Sequence, residues 1–366
     1  MKQIQDESNL RGKKVLVRVD IDDALLNPFP IKAIMPTLSL LTGAGAKIII
    51  LTHVGRTPQS SSEELLQPLQ KEIDVDFVSD VVGRTARAAI SKMADGAVVL
   101  LENVRRESGE TENSDSFAKE LAGLADIYVN DAFAVSHRKH ASIVGVPKYL
   151  PSFAGLRLQA EIKNLSLALA PEHPALFIIG GAKIETKLPL IEKFLGLYDR
   201  VFIGGALANS LFRAKGFEIG DSIVSKVDVN ITSLLENKKI LLPTDAITKT
   251  KSGIVTKKVT DIEPGEKMLD AGETTVAMLA EESAKASCVL WNGPLGIYEE
   301  GYGESTMRLA QTIARSSAAS IVGGGDTASA IVSLSLEDKF SFLSTGGGAM
   351  LQFLLDGTLP GIEALK

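Results

Sequence analysis

Short apolar, β-branched runs recur along the chain, and longer stretches with apolar residues every three or four positions separate them. In the first half the runs Lys14–Val19, Lys47–Thr52, Val98–Asn103 and Ile127–Asn130 predict strands. In the second half Ala175–Gly180, Arg200–Gly204, Ile240–Leu242, Cys288–Asn292 and Ser320–Gly323 do the same. Ser114–Leu124, Thr274–Ala286 and Ser305–Ser316 carry the spacing of helices. Continuously apolar strands alternating with helices imply parallel sheets covered on both faces. The predicted class is α/β, with two doubly wound, Rossmann-like domains. A long helix is expected over Leu156–Ala170, broken by Pro171-Glu-His-Pro174. The expected division is 1–156, a hinge helix and linker over 157–172, and a second domain over 173–345. The remaining 346–366 either closes the second domain or crosses back to the first.

Composition narrows the function. The chain has 366 residues, a length suited to two domains, with 45% hydrophobic and 23% charged residues. A net charge of -6 argues against a broad basic surface for nucleic acid, but leaves room for a small cationic pocket. Cys288 is the only cysteine, so no intrachain disulfide forms. The polar start MKQIQDESNLRGKK and the lack of a long apolar run give the expectation of a cytoplasmic protein with no membrane partner.

Ligands of open parallel sheets bind beyond the carboxyl ends of the strands. In the first half those ends carry Asp20, then His53 and Arg56, then Arg105, then Asn130 and Asp131 with His137, Arg138 and His140. Converging guanidinium and imidazole groups suit a small phosphorylated carboxylate. In the second half the ends carry glycine clusters: Gly180-Gly181, Gly204-Gly205, Gly323-Gly324-Gly325 and Gly346-Gly347-Gly348. Glycine lets a backbone approach a phosphate, and a following helix then points its N–H groups at the anion. Lys183 and Lys187 would share a face if their segment is helical. Asp326 suits an N-cap, a magnesium ligand, or both. There is no G-x-x-x-x-G-K-[ST], no G-x-G-x-x-G after the first strand, and no G-x-S-x-G.

The strings Gly12-Lys-Lys-Val-Leu-Val-Arg-Val-Asp20, Thr52-His-Val-Gly-Arg56, Leu101-Glu-Asn-Val-Arg105, Trp291-Asn-Gly-Pro-Leu-Gly296, Gly323-Gly-Gly-Asp-Thr327 and Ser344-Thr-Gly-Gly-Gly-Ala349 follow one another in an order that resembles the phosphoglycerate kinase family nearly end to end. The resemblance implies reversible phosphoryl transfer between 1,3-bisphosphoglycerate with ADP and 3-phosphoglycerate with ATP. It implies Mg²⁺ with the nucleotide, hinge closure and a monomer. Asp20, His53, Arg56, Arg105, His137 and Arg138 would then contact the acid. Gly204, Gly205, Asn292 and Glu299 would line the adenosine site. Lys187 and the loop Gly323, Gly324, Gly325, Asp326 and Thr327 would hold phosphates. Lys183, with Arg105, Gly324 and Gly347, would meet the group in transit, and Asp326 would reach magnesium.

The chain departs from the family in places that matter. Asp22 stands where the family has Asn, which sets a carboxylate beside an anionic ligand. Gly204-Gly-Ala-Leu207 replaces Gly-Gly-Gly-Met. Pro30 stands where the family carries a catalytic Arg, just before Ile-x-Ala-x-x-Pro-Thr. Arg106, adjoining Arg105, is favoured as a substitute over Lys32, which lies about 200° around a helix from Pro30. Pro30 keeps open a paralogue with weak activity or another carboxylate substrate, and a nucleotide-binding protein without turnover stands as a third reading.

Overall fold

The computed structural model describes residues 1–25, 27–55, 57–225 and 231–366. The chain divides into two compact units, Met1–Lys163 with Asp356–Lys366, and Asn164–Leu355. The division falls inside the helix Leu156–Ala168, which ends two residues short of its expected end.

The first unit is built on six parallel strands: β1 (Lys14–Arg18), β2 (Lys47–Leu51), β3 (Asp76–Val78), β4 (Val98–Leu101), β5 (Ile127–Asn130) and β6 (Ser152–Ala154). They lie in the order β3-β4-β2-β1-β5-β6. The chain winds one way from β1 through β2 and β4, then the other way through β5 and β6. The winding therefore reverses between β1 and β5, which places a crevice at the ends carrying Asp20 and Asp131. Val15, Leu16 and Val17 are buried on both faces of the sheet, as its central position requires.

The second unit repeats the plan with β7 (Ala175–Ile179), β8 (Arg200–Ile203), β9 (Ile240–Leu241), β13 (Cys288–Asn292), β14 (Ala319–Gly323) and β15 (Phe342–Leu343), ordered β15-β14-β13-β7-β8-β9. Its winding reverses between β7 and β13. A separate antiparallel sheet of β10 (Asp245–Thr250), β11 (Gly253–Lys258) and β12 (Lys267–Ala271) was not expected from the sequence. Phe177, Phe194 and Tyr198 form an aromatic cluster with ring centroids 4.7 to 6.0 Å apart. The Tyr198 hydroxyl donates to Ala168 O at 2.9 Å, which ties down the carboxyl end of the helix Leu156–Ala168.

The terminal stretch splits. The helix Gly348–Asp356 belongs to the second unit up to Leu355, and residues 356–366 belong to the first. There the short helix Pro360–Glu363 buries Gly361 against Ile143 and Ser136, and Gly361 N donates to Ser136 O at 2.8 Å. Leu359, Ile362 and Leu365 are buried. Among the described residues no helix is long and apolar enough to cross a membrane.

Ile362→Ala is expected to destabilise the first unit by about 2–5 kcal/mol, as cavity-forming substitutions in cores do. Urea denaturation followed by circular dichroism checks this; a midpoint equal to that of the unchanged protein would mean the C-terminal helix does not belong to that core.

Candidate active site

In the first unit the site is held by charges inside the sheet. Arg18 is the last residue of β1 and is buried. Its Nε donates to Ser142 Oγ at 2.9 Å, one Nη donates to Val19 O, and Nη2 faces His53 Nδ1 at 3.3 Å. Ser142 donates in turn to Glu110 Oε1 at 2.6 Å, and its N–H donates to Glu110 Oε2 at 2.8 Å. Burial alone would push the Glu110 carboxyl up; His140, Arg18 and Ser142 outweigh it and hold it below its ordinary value. An ionised Glu110 thus balances the buried Arg18.

His53, directly after β2, is held far below its ordinary pKa, first by burial and then by Arg18, Arg105, Arg138 and His140. The ring is therefore neutral, and its Nδ1 accepts from Arg18. Asp20 Oδ1 lies 3.6 Å from Nδ1, and Asp22 Oδ2 lies 3.7 Å from Nε2. With a neutral imidazole these are dipolar contacts, not ion pairs. Asp22 also accepts from Gly55 N at 2.7 Å, which offsets part of the charge it adds.

The Leu101-Glu-Asn-Val-Arg105 string acts as a clamp on the loop after β2. Asn103 donates to Val54 O at 2.9 Å and Ser60 O at 3.0 Å, and its Oδ1 accepts from Arg105 N at 3.0 Å. Glu102 accepts from Ser62 N at 2.9 Å, Asn103 N at 2.6 Å and the Ser61 hydroxyl at 2.9 Å. Burial would raise its pKa, but those donors and Arg106 bring it below its ordinary value. Arg105 is buried and donates to Gly55 O; its Nη2 finds no hydrogen-bond partner among the described residues. Burial, Arg138 and Arg18 hold its pKa down, against Asp20 and Asp22. His53 and Arg105 thus share one electrostatic site with Asp20, Asp22, Arg18 and Arg138. His137 is half-buried and Arg138 exposed. Arg56 lies outside the described residues. Arg106 is turned onto Glu102 and, through Nε at 3.3 Å, onto Pro58 O. Lys32 is exposed.

In the second unit two backbones meet where the winding reverses. Gly293, at φ +94°, lies so close to Gly180 that an added Cβ would fall 2.8 Å from the Gly180 carbonyl carbon. The Trp291 indole donates to Gly293 O at 2.9 Å and fixes this turn. Beside it opens a cavity of about 190 Å³ lined by Gly181, Gly205, Phe212, Met268, Leu295 and Glu299, with Asp326 also on its wall. Gly204 caps the helix Gly205–Ala214, whose N-terminus therefore adjoins the cavity.

The helix Ile184–Leu197 begins one residue later than the pairing of Lys183 with Lys187 requires. Lys183 is its exposed N-cap, and Lys187 is half-buried on the helix, with its pKa lowered by burial. Asp326 is not the N-cap of its helix. Gly324, at φ +106°, takes that position, because the chain turns there through a conformation that favours glycine. Asp326 falls in the first turn, where burial and Glu299 raise its pKa. A Cβ at Gly324 would meet Asn292 Nδ2 at 3.5 Å and Thr327 Oγ1 at 3.6 Å, and one at Gly347 would lie 3.9 Å from Gly324 Cα. The buried Thr327 hydroxyl has no hydrogen-bond partner among the described residues. Gly323 ends β14 and Gly325 starts the helix Gly325–Ser333.

Sequence reasoning missed Arg18, Glu110 and Ser142 as parts of the site. The signal was an arginine inside the otherwise apolar Val15-Leu-Val-Arg-Val19, a placement that demands a buried partner.

Fold and sites together define an α/β protein with two parallel-sheet units, one with a cationic cluster and one with a glycine-lined cavity at their strand ends. The family profile described as Phosphoglycerate kinase matches residues 4–357. A relative of that name from Dictyoglomus turgidum is 39% identical over 387 residues, covering 99% of this chain and 98% of its own. Another from Gloeobacter violaceus is 40% identical over 393 residues, covering 98% of this chain and 97% of its own. The solved structure of phosphoglycerate kinase from Pyrococcus horikoshii OT3 matches with a TM-score of 0.87 at 30% identity, over 100% of this chain and 98% of that one. That from Coxiella burnetii matches with a TM-score of 0.81 at 33% identity, over 99% of this chain and 98% of that one. The chain belongs to the phosphoglycerate kinase family.

Glu102→Gln is expected to destabilise the protein at pH 7 by about 1–3 kcal/mol, through weaker bonds to Ser62, Asn103 and Arg106. Because the folded pKa is below the ordinary 4.5, the carboxylate contributes stability above that value and loses it as pH falls through the folded value. The gap between the two proteins should therefore narrow as pH drops below about 4. Urea titrations at pH 7 and pH 4 check this; a gap that widens on acidification would contradict an ionised, well-satisfied Glu102.

Proposed function

We infer that this chain is a phosphotransferase with a carboxyl group as acceptor (EC 2.7.2.3), working reversibly between 1,3-bisphosphoglycerate with ADP and 3-phosphoglycerate with ATP. The match of the family profile across residues 4–357 carries this reading. The first unit takes the acid, with Arg105, Arg138 and Arg56 as phosphate and carboxylate partners and Asp20, His53 and His137 around them. The Nη2 of the buried Arg105, without a hydrogen-bond partner among the described residues, supports this, since such a donor calls for an anion. The second unit takes the nucleotide in the cavity beside Gly205, with Asn292 and Glu299 on the adenosine side and Gly323 to Thr327 around the phosphates. The orphan Thr327 hydroxyl and the capping Gly324 support that placement.

Phosphoryl transfer asks for in-line positioning and charge neutralisation. In the ATP-forming direction an ADP oxygen attacks the acyl phosphate and the carboxylate of 3-phosphoglycerate leaves; the reverse reaction retraces this path. Lys183 neutralises the group in transit, and backbone N–H groups near Gly324 and Gly347 orient its oxygens. Lys187, half-buried, holds a nucleotide phosphate. Asp326, its carboxyl close to that of Glu299, fits a magnesium ion bound mainly through nucleotide and water. Bound there, magnesium supplies charge neutralisation between phosphates. The two ligands must meet, so closure about the hinge segment 157–172 belongs to this reading, as do a cytoplasmic setting and a monomer. Asp22 and Pro30 favour the second reading, a paralogue with weak turnover or another carboxylate. A coupled assay with 3-phosphoglycerate and ATP separates the two, since the paralogue would show little turnover with that acid.

Lys183→Ala is expected to lower kcat with 3-phosphoglycerate by about a hundredfold or more, with a much smaller change in the Kd for ATP. Steady-state kinetics with calorimetric ATP titration check this, and near-normal turnover would remove Lys183 from the transfer step.

A further inference from the structure

Glu110 lies fully buried in the short helix Ser108–Thr111. Both of its oxygens accept from Ser142, one from the hydroxyl at 2.6 Å and the other from the N–H at 2.8 Å. The Tyr128 hydroxyl donates to Ser142 O at 2.6 Å and holds the turn that carries this serine. On its other side Ser142 Oγ accepts from Arg18 Nε at 2.9 Å. Arg18 ends β1, is itself buried, and turns Nη2 toward His53 Nδ1 at 3.3 Å. Four residues far apart in sequence thus form one line from the core to the strand ends: Glu110, Ser142, Arg18 and His53.

Counting donors fixes the direction of each bond in this line. A guanidinium has donors only, and a serine hydroxyl has a single hydrogen. Because Arg18 donates to Ser142 Oγ, that hydrogen goes on to Glu110, whose two oxygens both accept, as an ionised carboxylate does. Arg18 also faces Nδ1 with an N–H, so Nδ1 carries no hydrogen and His53 is the Nε2–H tautomer. Asp20 pulls the other way. Its Oδ1 lies 3.6 Å from Nδ1, beyond hydrogen-bond length, and would favour Nδ1–H if Arg18 drew back. Nε2 makes no hydrogen bond among the described residues, with Asp22 Oδ2 standing 3.7 Å away.

We propose that Glu110 is a positioning residue of the acid site: through Ser142 it holds Arg18 in place, and Arg18 fixes His53 as the tautomer whose Nε2–H is presented as a donor to an oxygen of the substrate. This rests on the reading that the first unit takes the acid. A buried ion pair often stabilises no more than apolar packing of the same size. A carboxylate joined to its arginine through a hydroxyl does something apolar packing cannot, because it orders the hydrogens from the core out to the imidazole.

The test uses full-length protein at pH 7 with isotope-labelled histidine, whose four rings give a short nitrogen NMR spectrum. His53→Gln identifies the signals of His53. In the unchanged chain without substrate, Nε2 is expected to be protonated and Nδ1 bare. Ser142→Ala removes the bridging hydroxyl, and Glu110→Gln removes the charge at nearly constant shape. Each is expected to move His53 toward Nδ1–H and to raise the KM for 3-phosphoglycerate about fivefold or more, with ATP binding unchanged. A line with a structural role only would lower the melting temperature and leave tautomer and KM as they were, which overturns the proposal. A KM that rises with the tautomer unmoved overturns it too, as does Nδ1–H or an imidazolium in the unchanged chain. Should Glu110→Gln not fold, Ser142→Ala decides. No 3-phosphoglycerate binding by the unchanged chain, with the tautomer shifts present, would instead refute the assignment of the acid site and leave the control of His53 standing.

Discussion

The close approach of two backbones at Gly180 and Gly293 is the constraint on which the second unit depends. Neighbouring parallel strands diverge past their last hydrogen bonds, and here the two chains that diverge turn back into contact. Any side chain at Gly293 would fall on the Gly180 peptide, and one at Gly180 would fall on Pro294 O. Because no Cβ intervenes, Gly181 and Gly205 come next to each other, and main chain forms this part of the cavity wall while Phe212, Met268 and Leu295 line the rest. Main-chain N–H groups cannot rotate away or be screened by their own flexibility, which suits a pocket that must present donors to phosphate oxygens. Trp291 secures the arrangement from below by donating to Gly293 O.

The first unit solves a different problem, that of keeping cations together. Arg18, Arg105 and Arg138 act on a common imidazole, and their mutual repulsion is relieved in two ways. His53 stays uncharged, and Glu110 carries a compensating charge from inside the core through Ser142. A neutral histidine that accepts from one arginine leaves the others free to turn toward an anion. The cost of burying Arg18 and Glu110 is met by a fully bonded chain of groups rather than by one ion pair.

The strands at the centres of both sheets were legible because burial on two faces writes itself as an unbroken apolar run, as in Ala175–Ile179 and Cys288–Asn292. The edges were not. β3 and β6 span three residues each and β15 two, too few to show a period. The hairpin β10–β11 escaped because β11 is exposed along nearly its whole length, so no alternation marks it. Strand-end residues such as His53, Arg105 and Asp326 could be found from the polar positions just past each apolar run. The burial of Arg157 could not, since an arginine in a helix looks like a solvated face until Phe29 and Glu161 are seen around it. Helix starts were off by a residue or two at Lys183 and Asp326, where Gly and a non-helical φ decide the cap.

The return of residues 356–366 to the first unit has a bearing on biosynthesis. A chain emerging amino end first makes Met1–Lys163 early, yet the segment that carries Leu359, Ile362 and Leu365 is made only after the whole of the second unit. The continuous second unit, Asn164–Leu355, is complete at nearly the same moment. The usual advantage of amino-terminal domains, folding while the rest is still being made, is thereby withheld from this one. The first unit keeps an open seam around Ser136 and Ile143 until the second unit has been made.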